Sequence, residues 1–347
     1  ATKSKFTILT AKELAGLAEL VNNGTNFAGK TIELDRDIDL SDHYWVPIGS
    51  SNAFKGSFNG QNHIVSSMYI KCDNFSYDSS RFDYVGFFGI VTTATIKNLT
   101  ISASSIDVKS PYGVNIGGIA GKNTEGSTIS DCKFSGNIVA NIAIGSYSIY
   151  IGGISGECDS ANISKCTNSA DISLTLNCDN TSSCSYIGGI TGSNTGKLEE
   201  CFNHGSITSK SMGTCNSESC VGGICGNNAG SILIDEAGSY GGEISSIFYG
   251  TTYVGGICGN NTDTGSILIE NYSCSGKLTS ISSHSNVYAG GVCGNDFGTL
   301  SIINCTSSFD IDTNITKHWR NCWIYFKFRN NYKLPLFWKH SCWSCEW

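Results

Sequence analysis

A six-residue motif recurs along most of the chain, and it constrains the fold more than any other feature of the sequence. A diverged first copy, VGFFG, lies at 85–89, and the clear copies are IGGIAG at 116–121, IGGISG at 151–156, IGGITG at 187–192, VGGICG at 221–226 and 254–259, and AGGVCG at 289–294. The second residues of successive copies are 31 to 36 residues apart. A period of this size is typical of a solenoid, a propeller or an array of repeats.

Each repeat has the same internal order. The segments ISDCKFSGNI, ISKCTNSADI and LEECFNHGSI align, so Cys132, Cys166 and Cys201 share one position. Apolar residues are closely spaced and mostly β-branched, and no segment of the repeats has the 3.6-residue period of a helix. The sequence therefore predicts an all-β fold, a parallel β-helix (β-solenoid) of about seven coils. Equivalent strands stack at about 4.8 Å, and each coil covers the apolar side of its neighbour.

Two further positions that recur from repeat to repeat predict local backbone geometry. The paired glycines indicate a kink or a close backbone approach at one corner of the coil. A polar residue follows the last glycine of the motif by two positions in five copies, at Asn123, Asn194, Asn228, Asn261 and Asp296. We expect this column to adopt left-handed turns and to form hydrogen bonds from coil to coil.

The two ends of the chain differ from the repeats. In residues 1–84, Thr10 and Glu13 form a capping box that predicts a helix over about 11–22, followed by strands, so this segment is expected to be an N-terminal cap for repeats at 85–316. Residues 317–347 hold five of the six tryptophans, and the last glycine is Gly298. Our hypothesis is that this aberrant tail is translated out of frame; the alternative is a genuine tryptophan-rich C-terminal cap.

Charge and cysteine content bear on partners and compartment. The chain has 22 Lys and Arg against 29 Asp and Glu, a net charge of −7, which argues against nucleic acid as a partner because phosphate binding needs clustered cations. No apolar run is long enough to form a transmembrane segment. There are 17 cysteines, and before the tail they show neither C-x-x-C spacing nor a Cys/His cluster, which favours a secreted protein with a few local disulfides.

The cysteines fall into two groups of candidates. Cys178 and Cys184, and likewise Cys215 and Cys220, bracket polar loops at equivalent places in adjacent repeats. They are predicted to form local disulfides, and a metal-binding or reactive thiol pair is the alternative. The stacked positions are expected to form two ladders of buried thiols: Cys132, Cys166 and Cys201 in one, and Cys225, Cys258 and Cys293 in the other.

One acidic segment is a weak candidate for a cation site. In LDRDIDLSD, Asp35, Asp37 and Asp39 alternate with other residues, which predicts that they lie on one face of a strand. Alternating carboxylates can hold calcium, and the other interpretation is a solvated strand face. No other cofactor is indicated, and no residue is assigned a catalytic role.

At this point the residues resemble a known family. The pattern VGGICGNN followed by GSI resembles the GLUG motif, and WVPIG with FKGSFNGQNHI at 45–64 is similar to the segment that often precedes GLUG repeats in large surface proteins. The resemblance extends over nearly all of 6–316. It implies an extracellular or cell-surface β-helix, often within adhesin-like or protease-associated proteins. The motif carries no agreed catalytic residues that could be transferred to this chain.

Three functions are considered on this basis. The first is a non-catalytic secreted or cell-surface β-helix for adhesion, ligand binding or structural spacing, with a glycan or protein surface as partner, as part of a larger surface protein or assembly. The second is a polysaccharide lyase or hydrolase, which needs carboxylates meeting on adjacent coils; the nearest acidic residues, Glu199, Glu200, Asp235 and Glu236, do not complete such a column. The third is ice binding, but the strands show no regular T-x-T ladder.

Overall fold

The chain is described by a computed structural model over residues 4–73, 83–143, 147–177, 183–214, 217–235 and 238–314. This part consists of parallel strands and one helix. The all-β class and the parallel solenoid of about seven coils are confirmed.

The N-terminal segment combines the helix with six short strands. Helix α1 spans Ala11–Asn22, and its capping box is formed by Thr10 and Glu13 as the sequence predicts. The helix buries Leu14 and Val21 in the apolar core. The strands are β1 (Lys5–Ile8), β2 (Thr31–Leu34), β3 (Ile38–Asp39), β4 (Ser57–Asn59), β5 (Ile64–Ser66) and β6 (Tyr69–Cys72).

The repeats contribute the remaining strands, usually four to a coil. The first four coils contain β7 (Tyr84–Val85), β8 (Phe88–Val91), β9 (Thr95–Lys97), β10 (Thr100–Ser110), β11 (Asn115–Gly117), β12 (Ala120–Asn123), β13 (Thr128–Ser130), β14 (Lys133–Ala143), β15 (Ile149–Gly152), β16 (Ser155–Cys158), β17 (Asn162–Ser164), β18 (Thr167–Asn168), β19 (Asp171–Asn177), β20 (Cys184–Gly188), β21 (Thr191–Asn194), β22 (Lys197–Glu199), β23 (Phe202–Asn203) and β24 (Ile207–Met212). The later coils contain β25 (Glu218–Gly222), β26 (Cys225–Asn228), β27 (Ser231–Ile234), β28 (Gly238–Tyr240), β29 (Glu243–Phe248), β30 (Thr252–Gly255), β31 (Cys258–Asn261), β32 (Ser266–Glu270), β33 (Tyr272–Ser282), β34 (Val287–Gly290), β35 (Cys293–Asp296), β36 (Thr299–Ile303) and β37 (Thr306–Asn314).

Stacking of the coils produces four parallel sheets, numbered here in the order in which each repeat contributes strands to them. Sheet 1 runs β7-β11-β15-β20-β25-β30-β34, and sheet 2 runs β8-β12-β16-β21-β26-β31-β35. Sheet 3 runs β1-β2-β4-β9-β13-β17-β22-β27-β32-β36. Sheet 4 follows β3-β5-β10-β14-β19-β24-β29-β33, with β6, β18, β23, β28 and β37 beside it. The N-terminal strands therefore continue sheets 3 and 4.

The register places successive copies of the motif above one another. Ile116 pairs with Ile151, Ile151 with Ile187, and Ile187 with Val221 in sheet 1. Their side chains are fully buried, as are the equivalent residues of the next coils. A single apolar core runs from α1 to the last described coil, because each coil covers the apolar positions of the one before it.

The glycine pair makes the corner between sheets 1 and 2. A Cβ atom added to Gly152 would overlap the carbonyl oxygen of Ser155, and one added to Gly153 would overlap the buried amide of Asn168. Neither glycine has a positive φ, so the requirement is close packing rather than an unusual backbone conformation. The predicted close backbone approach is confirmed.

The left-handed turns lie elsewhere than predicted. Among the described residues, Asn123, Asn194, Asn228 and Asn261 do not have positive φ, and each ends a strand of sheet 2. Left-handed conformations recur instead between sheets 3 and 4, with φ of 51–55° at Asn98, Asp131, Lys165, Glu200, Asn271 and Asn304. The prediction was wrong because the sheet 2 asparagines turn inward and bind neighbouring coils. The predicted tail at 317–347 lies outside the described residues.

Candidate ligand-binding face

Asparagine ladders inside the coils fix the register on which the outer surface depends. The Nδ2 group of Asn194 donates to Oδ1 of Asn228 at 2.8 Å, Asn228 donates to Asn261 at 2.8 Å, and Asn261 donates to Asp296 at 2.7 Å. The predicted coil-to-coil hydrogen bonds are thus confirmed. In the preceding coil Cys158 takes this position, so Asn123 lies apart from the ladder.

A second interior ladder was missed from the sequence. Asn168 donates from Nδ2 to Oδ1 of Asn203 at 2.8 Å, and both side chains are fully buried. Each amide also bonds backbone groups two residues ahead, at Ala170 and Gly205. The available signal was positional, since each asparagine follows an aligned cysteine by two residues.

The stacked cysteines are buried, as predicted for thiol ladders. Cys225 pairs in register with Cys258, and Cys258 with Cys293. Burial raises the pKa of Cys258 and Cys293 well above the usual range. A thiol that resists deprotonation is a poor nucleophile and a poor metal ligand, so these side chains serve as small apolar core residues.

Two of the four predicted disulfide cysteines, Cys178 and Cys215, lie outside the described residues, so the pairing stays a prediction. The other two do not occupy equivalent positions. Cys184 pairs in register with Glu218, whereas Cys220 pairs with Tyr186, two residues further along the strand.

The three aspartates of the cation candidate do not share one strand face. Strand β2 ends at Leu34 and β3 begins at Ile38. Asp35 and Asp37 therefore lie between the two strands, and Asp39 lies within β3. Asp37 accepts a hydrogen bond from the backbone N–H of Ile64 at 2.8 Å, which lowers its pKa. The hydroxyl of Ser41 binds Asp39 at 2.8 Å and lowers its pKa as well. Within the described ranges no three His, Cys, Asp or Glu side chains converge as a metal site.

A column of tyrosines runs along the outer side of sheet 1. Its members occupy the residue just before each motif copy, and register pairs join them in the order Tyr84, Asn115, Tyr150, Tyr186, Cys220, Tyr253 and Tyr288. We call this set the tyrosine column. The rings of Tyr150 and Tyr186 stack at 5.3 Å, and those of Tyr253 and Tyr288 at 4.8 Å. All four rings are half-buried.

A column of polar side chains runs along sheet 2. It occupies the residue just after the last glycine of each motif copy and consists of Lys122, Glu157, Ser193, Asn227, Asn260 and Asn295. We call this set the amide column. Asn260 donates to Oδ1 of Asn227 at 2.8 Å, and Asn295 donates to Oδ1 of Asn260 at 2.7 Å.

The two columns touch at a charged cluster near the second and third coils. Asn115 of the tyrosine column donates from Nδ2 to Oε2 of Glu157 at 2.8 Å. The Nζ atom of Lys122 lies 3.0 Å from Glu157 Oε2 and 3.2 Å from Asp159 Oδ2. Burial disfavours the charge on Lys122, but the bonds to both carboxylates outweigh it and raise its pKa. The two columns, which meet at this contact, are together called the tyrosine–amide face; Cys220 in the tyrosine column is fully buried and interrupts its exposed surface.

Sequence reasoning missed this face, although its signal is present. One column is the residue just before each motif copy, and the other is the residue just after it. Aligning the copies and comparing these two positions from repeat to repeat therefore identifies both columns. The cluster of Lys122, Glu157 and Asp159 also escaped notice, because its members lie on adjacent coils and 35 or more residues separate the lysine from either acid.

The outer side of sheet 4 is mixed in chemistry. One of its columns reads Lys109, Asn141, Thr175, Lys210 and Ile247 in register. This column does not form the regular threonine array that ice binding requires, in agreement with the sequence.

Comparisons with known proteins agree with this fold. The family model described as the GLUG motif matches residues 112–139, which include β11 and β12. The predicted resemblance to GLUG-motif proteins is confirmed. No curated protein matches the chain. No described helix is both long and apolar enough to cross a membrane.

One solved structure shares the fold at low sequence identity. It is the crystal structure of a "putative immunoglobulin A1 protease" from Bacteroides ovatus, with a TM-score of 0.56 and 18% identity, covering 88% of this chain and 84% of that chain. Similarity at this level shows a common architecture.

Proposed function

We propose that this GLUG-motif β-helix is a non-catalytic secreted or cell-surface protein that binds a surface ligand through the tyrosine–amide face. The observation that carries the proposal is the register of the two columns over consecutive coils, interrupted in the tyrosine column at the fully buried Cys220. A solenoid is a scaffold whose function depends on the sites it displays, and its extended faces are suited to elongated ligands.

The chemistry of the face supports binding rather than turnover. Lys122 is held as a cation by two carboxylates, so it is unsuited to act as a base near neutral pH. Glu157 is also engaged, because Asn115 Nδ2 and Lys122 Nζ both contact its Oε2 atom. The GLUG match supports a location outside the cell.

A second candidate function is a polysaccharide-active enzyme. It is favoured by one observation, the meeting of Lys122, Glu157 and Asp159 on adjacent coils. The name of the Bacteroides ovatus neighbour adds immunoglobulin A1 to the substrates that a test should include.

Binding and turnover are separated in one experiment with the full chain. The purified protein is applied to surfaces coated with polysaccharides or host proteins, and the supernatants are analysed for cleaved products, with immunoglobulin A1 in the panel. We expect retention without cleavage, and reduced retention for the double variant Tyr253→Ala, Tyr288→Ala. Product formation that is lost in Lys122→Ala would contradict the proposal and establish the enzyme.

A further inference from the structure

We propose that the tyrosine–amide face binds an extended, uncharged polysaccharide that lies parallel to the axis of the coils, one sugar unit per coil. This inference rests on the proposed function and names the ligand class of the same face. It follows from the hydrogen-bonding groups, the spacing and the charge of the two columns.

The amide column offers repeated donors and acceptors. A carboxamide has two N–H donors and an oxygen with two lone pairs. The ladder uses one donor from Asn260 and one from Asn295; Asn295 is buried, so Asn260 is the ladder donor whose second N–H can meet a ligand. Asn227 and Asn260 are half-buried. Groups of this kind bind the hydroxyls of a sugar as both donors and acceptors.

The tyrosine column adds hydroxyl groups and ring edges. The rings of Tyr253 and Tyr288 are stacked with an interplanar angle of 14°, so each covers a face of the other. The exposed parts of such a stack are its edges and phenol oxygens, and a phenol both donates and accepts hydrogen bonds. We therefore expect contact through hydroxyl groups to outweigh stacking of sugars on ring faces.

The rise per coil distinguishes a polysaccharide ligand from a peptide ligand. The coils rise by about 4.8 Å, which is close to the advance of one pyranose ring in an extended β-1,4-linked chain. An extended peptide advances about 3.3 Å per residue and repeats its side of the strand every two residues, at about 6.6 Å. Neither peptide distance matches the coil rise, so of the two polymers the polysaccharide is the one that advances by about one unit for each coil.

Charge favours a neutral polymer. Lys122 is paired with acids at one end of the amide column, and the column continues with Ser193 and three asparagines. The chain as a whole carries a net charge of −7. An anionic polymer would meet repulsion without a free cationic row to bind it, whereas a neutral polymer would not.

The test compares two derivatives of one backbone. Affinity electrophoresis of the full chain in gels with hydroxyethylcellulose or carboxymethylcellulose contrasts a neutral and an anionic polymer. We expect retardation by the neutral polymer, and weaker retardation by the anionic one at low salt. With β-1,4-linked oligosaccharides in calorimetry, affinity should rise with each added unit up to about three, because Asn227, Asn260 and Tyr288 lie on three consecutive coils.

Variants identify the surface. Tyr253→Phe with Tyr288→Phe keeps both rings but removes the hydroxyls, and affinity should fall about five- to tenfold, as expected for the loss of two hydrogen bonds. Tyr44→Phe is the matched control, since Tyr44 is 64% exposed on the N-terminal segment, and it should bind as the unmodified protein does. Thermal unfolding checks that all three proteins are folded.

Three results would overturn the inference: no binding of the neutral polymer, equal or stronger binding of the anionic one, or an equal loss in the Tyr44 control. If the protein instead binds a protein-coated surface and loses this binding in the Tyr253 and Tyr288 variants, the ligand class is wrong and the proposed function stands. If no surface is bound through this face, both are wrong.

Discussion

Asn228 illustrates how one side chain joins three coils. It is fully buried, accepts a hydrogen bond from Asn194 and donates to Asn261, each at 2.8 Å. Replacing it with alanine removes one hydrogen bond from the buried amide of each of two other coils, Asn194 and Asn261. We expect Asn228→Ala to lower the free energy of unfolding by about 2–3 kcal/mol, measured by urea denaturation.

The control for this prediction is an exposed asparagine. Asn137 lies on the outer side of β14, and Asn137→Ala should change the free energy of unfolding by less than about 0.5 kcal/mol. Equal effects of the two substitutions would show that the interior ladder does not stabilise the stack.

The burial of the thiols predicts an order of chemical labelling. Cys184 and Cys305 are half-buried, whereas Cys166 and Cys258 are fully buried. Burial raises the pKa of Cys166 and Cys258 well above the usual range, so little of the reactive thiolate forms at neutral pH. Among the cysteines that the structure describes, iodoacetamide should modify Cys184 and Cys305 first in the reduced, folded protein. Mass spectrometry of peptides measures this order, and early labelling of Cys258 would contradict it.

At the scale of the element, the glycines at the corner between sheets 1 and 2 leave no room for a side chain. A Cβ atom at Gly189 would overlap the carbonyl oxygen of Gly223 in the next coil and the amide of Asn203. We expect Gly189→Ala to destabilise the protein by about 3 kcal/mol or more, because backbone of another coil must move. Thermal unfolding provides the measurement.

For a glycine in the helix we expect the glycine-to-alanine substitution to increase the stability of the protein instead of decreasing it. Gly16 lies within α1, and a Cβ atom there meets no other group within 4 Å. Gly16→Ala should therefore stabilise the protein by about 1 kcal/mol, since alanine is the better helix former. A loss of stability in both variants would show that the corner is not specifically restricted.

The elements also show why some features follow from the sequence and others do not. The motif period predicts the strands and the corner, because the position of each glycine pair is required by packing of its neighbours. The backbone conformation of Asn194 and Asn228 was not predictable from residue type, because asparagine favours both left-handed turns and ladders. A buried asparagine forms the ladder rather than the turn. Whether the side chain is buried depends on how the coil folds around it, which residue type alone does not specify.

At the scale of the whole molecule, the candidate face is a property of the stack rather than of any repeat. Tyr253 and Tyr288 are adjacent only because their strands pair in register, and the same holds for Lys122 and Glu157. Reading the columns beside each motif copy gives the identity of these neighbours. The contact between Asn115 and Glu157 joins two different sheets, and it depends on the angle at the corner, which the sequence does not specify.

The central claim is that repeats stack in register with one coil each, and removal of a whole coil tests it most directly. Deletion of residues 189–222 joins Gly188 to Gly223 and restores an intact motif, whereas deletion of 189–205 removes about half a coil. Circular dichroism during heating should show that the whole-coil deletion unfolds cooperatively with a midpoint only a few degrees lower, while the half-coil deletion does not fold. Equal damage from the two deletions would contradict the account.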